Sequence, residues 1–436
     1  MAGKLFGTDG VRGVAGEFLT AGLALALGRA ATRQTGAERP QVLIIRDTRA
    51  SGEMLQAAVA AGVSSAGGDA LLGGVLPTPA APLLIGRYGF DLAAVLSASH
   101  NLYHDNGIKF FASDGYKLSD ETELAIEREL ELLGPSPIGG VRELRGAAED
   151  YLRELHTRFS ELDLDGLDVL LDCANGATYR VAPEIFRRLG ARVTVTADAP
   201  DGRNINAGCG STHVHALAEQ VVAGGHAVGF AFDGDGDRVL AVDGRGEVVD
   251  GDELIALAAL HLRDSARLSG NGVVVTVMTN YGFHSAMENA GVNVATTSVG
   301  DRYVLEELRA RGWTLGGEQS GHIIHMDFNR TGDGIASALL TLEALAGRDL
   351  SERDAMARIP QRLVNVRVRD RGALQGAAGV EEGVRTAAAA LAGRGRVLVR
   401  PSGTEPLIRV MVEAPTEEEA DDVCSSLVAL VERELA

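Results

Sequence analysis

Three stretches of this 436-residue chain repeat one order of events, and that repeat restricts the fold more than any single motif does. Each runs from a β-branched or leucine-rich strand through a polar loop to a helix-period stretch that closes near glycine, then enters a second apolar strand. The first copy reads Val42-Leu43-Ile44-Ile45, a helix after Ser51, Gly67-Gly68 and Ala70-Leu71-Leu72. The second reads Asp168-Val169-Leu170-Leu171, Asn175-Gly176, a helix from Pro183 to Leu189, Gly190 and Arg192-Val193-Thr194-Val195. The third reads Val273 to Val277, a helix from near His284 to Asn289, Gly291 and Val292-Asn293-Val294. Glycine suits these helix ends because it enters the left-handed conformation without a Cβ clash. Strands alternating with helices predict parallel or mixed α/β sheets covered on both faces, with functional loops at strand ends.

The last stretch has a different plan. Strands are expected at Val364 to Val368, Arg396 to Arg400 and Ile408 to Val412, and a helix from Glu417 to Leu435, which together predict a smaller α+β domain. At roughly 100 to 200 residues per domain the length agrees with three or four domains. The expected divisions are residues 1–150, 151–250, 251–365 and 366–436.

A formal charge of −19 disfavours nucleic acid or an anionic membrane as partner, since a polyanion would meet net repulsion. An anionic small molecule would need a locally basic pocket. Cys173, Cys209 and Cys424 lie far apart and form no CxxC pair, so neither a disulfide framework nor a zinc site is expected. The N-terminus has no apolar segment behind a basic start, and no run approaches the ~18 apolar residues of a membrane span. A cytoplasmic protein is the expectation.

The sharpest motif is Asp233-Gly234-Asp235-Gly236-Asp237-Arg238, behind the apolar strand Ala227 to Phe232. On an extended chain alternate side chains share a face, so three carboxylates would converge and repel unless a hard cation neutralised them. One Asp-Gly pair is an ordinary solvated turn, but three in alternation ending in arginine favour metal. An EF-hand loop needs glycine at its sixth place and glutamate at its twelfth, where this chain has Arg238 and Gly244. Three carboxylates leave room for phosphate oxygen and water, which suits magnesium better than calcium.

The second motif runs from Ser97 through Ser99-His100-Asn101-Leu102 to Lys109, beyond the strand Leu92 to Leu96. The G-x-S-x-G elbow of acyl-transfer enzymes is absent, and Ser-His-Asn by itself is more often a turn element than a nucleophile. Beside a metal site, however, a serine can carry phosphate, whose charge of about −1.5 to −2 needs a cation and basic groups. Arg400-Pro401-Ser402-Gly403-Thr404-Glu405-Pro406, followed by Arg409, offers hydroxyls, backbone N–H groups and two guanidiniums for a phosphate. In Gly317-Glu318-Gln319-Ser320-Gly321-His322, the side chains of Glu318, Ser320 and His322 would share a face if the segment were extended, and they suit sugar hydroxyls. Gly7-Thr8-Asp9-Gly10-Val11-Arg12-Gly13 permits close approach and offers Arg12 to a phosphate or reacting oxygen.

All five elements, in this order, resemble the α-D-phosphohexomutase superfamily over essentially the whole chain, and the segments at residues 6–13, 298–304 and 317–322 look most like its amino-sugar branch. The resemblance implies a four-domain architecture: three related α/β mixed-sheet domains and a smaller C-terminal α+β domain around a central cleft. It implies that Ser99 is a phosphoserine, that its phosphate with Asp233, Asp235 and Asp237 holds Mg2+, and that Arg238, Glu318, Ser320, Arg400, Ser402, Gly403, Thr404 and Arg409 bind the sugar phosphate. Lys109, Arg12 or His322 would handle the hydroxyl proton or nearby charge.

The implied reaction converts glucosamine 6-phosphate to glucosamine 1-phosphate, with glucosamine 1,6-bisphosphate or glucose 1,6-bisphosphate as activator. A homodimer is the implied assembly. A neutral hexose phosphate is the alternative substrate. The sequence departs from the family in one place: Leu102 stands where proline usually follows Ser-His-Asn, which implies a less rigid loop with its reacting groups intact.

Overall fold

The structure is a computed structural model that describes residues 5–7, 9–131, 137–370, 374–401 and 407–435. The chain divides into two compact units, one of residues 1–277 and 293–353 and one of residues 278–292 and 354–436.

The first unit contains three sheets built on one scheme. In each, the repeat supplies a parallel strand pair: Gln41–Arg46 with Asp69–Val75, Asp168–Asp172 with Arg192–Thr196, and Gly272–Thr276 with Asn293–Thr297. A further parallel strand flanks the first member of each pair, namely Leu92–Leu96, Val228–Phe232 and Leu315–Gly317. The chain then doubles back as an antiparallel neighbour: Asp105–Ala112, Val239–Asp243 and Ile323–His325. Val11–Val14 and Val141–Glu143 complete a six-stranded first sheet, and Val248–Val249 a five-stranded second. The central strands are apolar but for the terminal Thr276 because helices cover both faces of such a sheet; Leu92–Leu96, Val228–Phe232 and Gly272–Thr276 are buried at every position.

The helices Ala21–Gln34 and Ser51–Ser65 pack on the first sheet, burying Leu27, Leu55, Val59 and Val63 against Val42, Ile44 and Leu96. Their backbones meet at glycine: a Cβ on Gly62 would stand 2.2 Å from Leu25 O and one on Gly28 would stand 2.6 Å from Val59 O. Both neighbours are backbone and cannot swing aside. Gly62→Ala is therefore expected to cost about 1–3 kcal/mol despite alanine's better helix propensity, read as a lower thermal midpoint; an unchanged or raised midpoint would show that the two helices can slide apart.

The second unit carries an antiparallel sheet in the order Gln361–Arg367, Leu407–Glu413, Arg396–Pro401. Tyr281–Asn289, the helix of the third repeat, groups with this unit and is tied to it through Glu413, which is fully buried. The Glu413 carboxylate accepts from Asn280 Nδ2 at 3.2 Å, Tyr281 N at 3.0 Å, Gln361 Nε2 at 2.8 Å and Arg396 Nε at 2.6 Å. The helix Glu417–Leu435 matches its sequence expectation and buries Cys424, Leu427 and Val431; the helix Ala378–Ala390 was not foreseen. Among the described residues, no helix is long and apolar enough to cross a membrane.

Histidine 325, at the end of Ile323–His325, is kept neutral by its surroundings. Burial, then Arg158 and Arg267, lower its pKa to about 4 from the ordinary 6.5. The unfolded chain therefore binds the extra proton first, so stability contributed above pH 6.5 is lost as the pH falls toward 4, by about 3 kcal/mol at most. Thermal melts between pH 7.5 and 4.5 are expected to fall more steeply for wild type than for His325→Gln. Parallel curves would refute this.

Candidate active site

The three loops singled out in sequence occupy one topological position. Residues 97–104, 233–238 and 318–322 each leave the carboxyl end of the last parallel strand and lead into the antiparallel return. Strand carboxyl ends are where α/β sheets present ligand groups, because the loops there are free of the helix packing that covers the faces.

In the second loop the three aspartates converge, with ligand oxygens all within 4.8 Å of one another and all three residues buried. They do so by a turn and not by strand alternation: Gly236 N donates to Asp233 O at 3.1 Å and Gly236 sits at φ 71°. Asp235 Oδ2 accepts from Thr78 Oγ1 at 2.7 Å and Lys109 Nζ at 2.8 Å, while Asp235 Oδ1 and Asp237 Oδ1 are buried without a hydrogen-bond donor among the described residues. Burial, then Asp237 and Asp235, push the Asp233 carboxyl well above the ordinary carboxylate range. Burial opposes ionisation of Asp237 too, but His322, Lys109 and Arg238 outweigh it and hold that group low. Free buried oxygens on crowded carboxylates fit a hard divalent cation, which would relieve their repulsion and complete their coordination.

Ser99 lies at the edge of this cluster. Its Oγ donates to Asp233 Oδ2 at 2.5 Å and stands 3.3 Å from His100 Nδ1. Ser99 has φ 50°, a left-handed conformation that costs a residue with a Cβ about 1–2 kcal/mol. Its N–H donates to Ser97 Oγ at 3.0 Å, and Ser97 Oγ in turn donates to Asp47 Oδ2 at 2.5 Å.

Lys109, 1% exposed on Asp105–Ala112, joins the loops electrostatically. It reaches Asp235 at 2.8 Å, Asp9 at 3.0 Å and Asp237 at 3.8 Å. Burial opposes its charge, but Asp235, Asp9 and Asp237 together hold its pKa above the ordinary lysine range. Lys109 is thus a fixed cation and a poor proton acceptor. Arg12 pairs with Asp9, and its buried Nε has no hydrogen-bond partner among the described residues. Lys117 pairs with both Asp9 and Asp301, and Asp301 lies 4.0 Å from His322 Nε2. His322 Nε2 accepts from Gly332 N at 3.2 Å, which assigns the proton to Nδ1, 3.6 Å from Asp237 Oδ1. Burial disfavours charging His322, yet Asp237 and Asp301 raise its pKa.

The third loop departs from the extended reading. Gly321 N donates to Glu318 O, and Glu318 N to His322 O, both at 3.0 Å, so residues 318–322 form a hairpin turn. Glu318 and His322 face each other across its base while Ser320 is exposed at the tip, and the three do not share a face by alternation. Glu318 Oε1 accepts from Gly300 N at 2.9 Å, and Gln319 Nε2 donates to Asp250 Oδ2 at 3.1 Å.

In the second unit Arg400 and Arg409 stand directly opposite on paired strands. Like charges so placed repel unless an anion lies between them. Burial and Arg409 lower the Arg400 pKa; among the described residues the buried Arg409 Nε has no partner and neither guanidinium has a carboxylate partner. Ser402, Gly403 and Thr404 lie outside the described residues.

Four domain models of one family, described as phosphoglucomutase/phosphomannomutase, match residues 3–133 (alpha/beta/alpha domain I), 149–246 (domain II), 250–363 (domain III) and 363–430 (C-terminal domain). The chain is 52% identical to the phosphoglucosamine mutase of Moorella thermoacetica, with 98% of both chains covered. It is 49% identical to that of Mycobacterium tuberculosis, covering 98% of this chain and 99% of the relative. The chain belongs to the phosphoglucosamine mutase family. Solved structures share its fold: a Burkholderia thailandensis phosphoglucomutase/phosphomannomutase family protein superposes with a TM-score of 0.83 at 22% identity, covering 99% and 97% of the two chains. The Aspergillus fumigatus N-acetylphosphoglucosamine mutase, solved with GlcNAc-6P and magnesium, gives 0.70 at 18% identity, covering 99% and 96%.

Sequence reasoning missed the residues that join these loops. Thr78, Lys117 and Asp301 touch the site from outside its quoted motifs or without an assigned role. Lys117 meets partners 108 and 184 positions away, a pairing that no local pattern encodes. Asp47 and Arg49 follow the first repeat strand directly, and that strand-end position was the available signal.

Proposed function

We propose that the chain interconverts glucosamine 6-phosphate and glucosamine 1-phosphate through phosphorylated Ser99 and a sugar 1,6-bisphosphate. The observation that carries this reading is the Ser99 hydroxyl, 2.5 Å from Asp233 in a cluster of three buried carboxylates beside a buried lysine. Acyl chemistry has no use for three carboxylates around its nucleophile. A phosphoryl group held there does, through a divalent cation that they would hold.

Asp233, Asp235 and Asp237 would hold Mg2+, which when bound would neutralise charge on the phosphoryl oxygens. In the forward direction the sugar O1 hydroxyl attacks phosphorus, the bond from phosphorus to Ser99 Oγ breaks, and the O1–phosphorus bond forms. The hydroxyl proton passes to a nearby base, for which the imidazole of His322 is chemically better suited than the ammonium of Lys109 or the guanidinium of Arg12, although Asp237 and Asp301 favour its charged form. Lys109 and Arg12 offset charge on the transferring group. The bisphosphate then turns over and its O6 phosphoryl returns to Ser99 Oγ. Glu318 and Ser320 would meet sugar hydroxyls, Arg238 the anionic substrate, and Arg400 with Arg409 the phosphate that is not reacting. Glucosamine 1,6-bisphosphate or glucose 1,6-bisphosphate would prime Ser99. A cytoplasmic homodimer with domains at 1–150, 151–250, 251–365 and 366–436 accompanies this reading.

The test is kcat/KM for glucosamine 6-phosphate, glucose 6-phosphate and mannose 6-phosphate, with Mg2+ and a trace of bisphosphate, in wild type and Ser99→Ala. The amino sugar is expected to win, and the variant to lose about 10⁴-fold or more. Preference for a neutral sugar would replace the substrate, and full activity in Ser99→Ala would end the reading.

A further inference from the structure

Arg49 is not part of any motif quoted for the reaction, yet its side chain is 0% exposed and all five of its N–H donors are used. Nε donates to Asp47 Oδ2 at 2.8 Å. Nη1 donates to Leu102 O and, at 3.0 Å, to Asp105 O; Nη2 donates to Ser99 O at 2.9 Å and Asn101 O at 2.8 Å. Four carbonyls of the Ser99 loop thus point at one guanidinium. Asn206, 1% exposed and contributed by the second repeat, donates its Nδ2 to two of the same carbonyls, Ser99 O and Asn101 O, each at 2.9 Å. Asp47 closes the arrangement from behind, accepting from Arg49 N at 3.0 Å and from Ser97 Oγ, which itself accepts from Ser99 N.

We propose that Arg49, supported by Asn206, is the positioning residue that holds the Ser99 loop in its left-handed turn and aims Oγ for phosphoryl transfer. The inference rests on the reading of Ser99 as the phosphoryl carrier. A phosphorylated Ser99 sits among carboxylates that repel it, and Leu102 removes the rigidity that a proline would lend the loop. The planar fork of Arg49 supplies the restraint instead, binding the Leu102 carbonyl and its neighbours at fixed angles that a lysine ammonium could not span. In-line transfer depends on placement: an error of about 1 Å at the reacting oxygen can cost about 10²-fold.

Two variants test this, Arg49→Lys, which keeps the charge beside Asp47, and Asn206→Ala, which leaves every Arg49 bond in place. Each is assayed for kcat, KM, thermal midpoint and the single-turnover rate of labelled phosphoryl transfer from glucose 1,6-bisphosphate to Ser99. Arg49→Lys is expected to lower kcat and the transfer rate together by about 10²-fold, with KM within about 3-fold; Asn206→Ala is expected to lower both by about 10-fold. Should Arg49→Lys fail to fold, Asn206→Ala decides alone. A lower midpoint with kcat and transfer rate per folded molecule unchanged would overturn the proposal and leave Arg49 a purely structural ion pair. Wild type that labels no Ser99 at all would overturn the underlying reading of Ser99 instead.

Discussion

Asp233→Asn is expected to remove activity by about 10³-fold or more without lowering thermal stability in EDTA. Asp233 is buried beside Asp235 and Asp237, and burial and those two carboxylates push its carboxyl upward, so its negative charge is a cost to the fold when no cation is present. Asparagine keeps the shape and can still bond Ser99 Oγ and Arg238 N, the donors to the Asp233 carboxylate among the described residues. The charge that a divalent cation and a phosphoryl group need is lost. Mg2+ at 100 times its Kd should stabilise the wild type by about 2.7 kcal/mol, and should stabilise the variant far less. Calorimetry of both proteins in EDTA and in Mg2+ makes the comparison. If Mg2+ raises both midpoints equally, the ion binds elsewhere; if Asp233→Asn is much less stable in EDTA, the carboxylate is a structural group and not a ligand.

How much of this was legible beforehand depends on how local each interaction is. The three parallel strand pairs were legible because a continuous apolar strand, a helix and a closing glycine are written in adjacent residues. The Asp233 to Asp237 cluster was legible in outcome but not in route: strand alternation suggested it, whereas the turn at Gly236 makes it. The same assumption misplaced Ser320, because the glycine after it favours a hairpin, and Gly321 at φ 87° provides one. The helix Ala378–Ala390 has only Val380 buried, so its apolar stripe is too thin to announce itself. Arg49 illustrates the limit. Its importance consists of carbonyl oxygens 50 to 56 positions away, and backbone acceptors leave no trace in residue identity.

Lys109→Met is expected to be the most destabilising single change in the site. The ammonium is 1% exposed and touches three carboxylates, of which Asp235 at 2.8 Å and Asp9 at 3.0 Å are direct. Methionine fills the space but leaves those charges buried with less compensation. Removing one partner of a buried ion pair costs about 3–5 kcal/mol, because the remaining charge can neither reach water nor find a new partner. Here Lys117 still pairs with Asp9, so the loss should fall mainly on Asp235. It follows that Lys109→Met/Asp235→Asn should regain part of the stability, giving a double-mutant coupling well beyond the ~0.5 kcal/mol within which independent sites add. Activity should not return with it, since the fixed cation and one metal-binding carboxylate are both gone and each such group is worth about 10²-fold or more. Strict additivity in the denaturation energies would mean that Lys109 packs beside Asp235 without answering its charge. Stability and activity recovering together would mean that the charge pair serves the fold alone, and that phosphoryl transfer draws its cation from another residue.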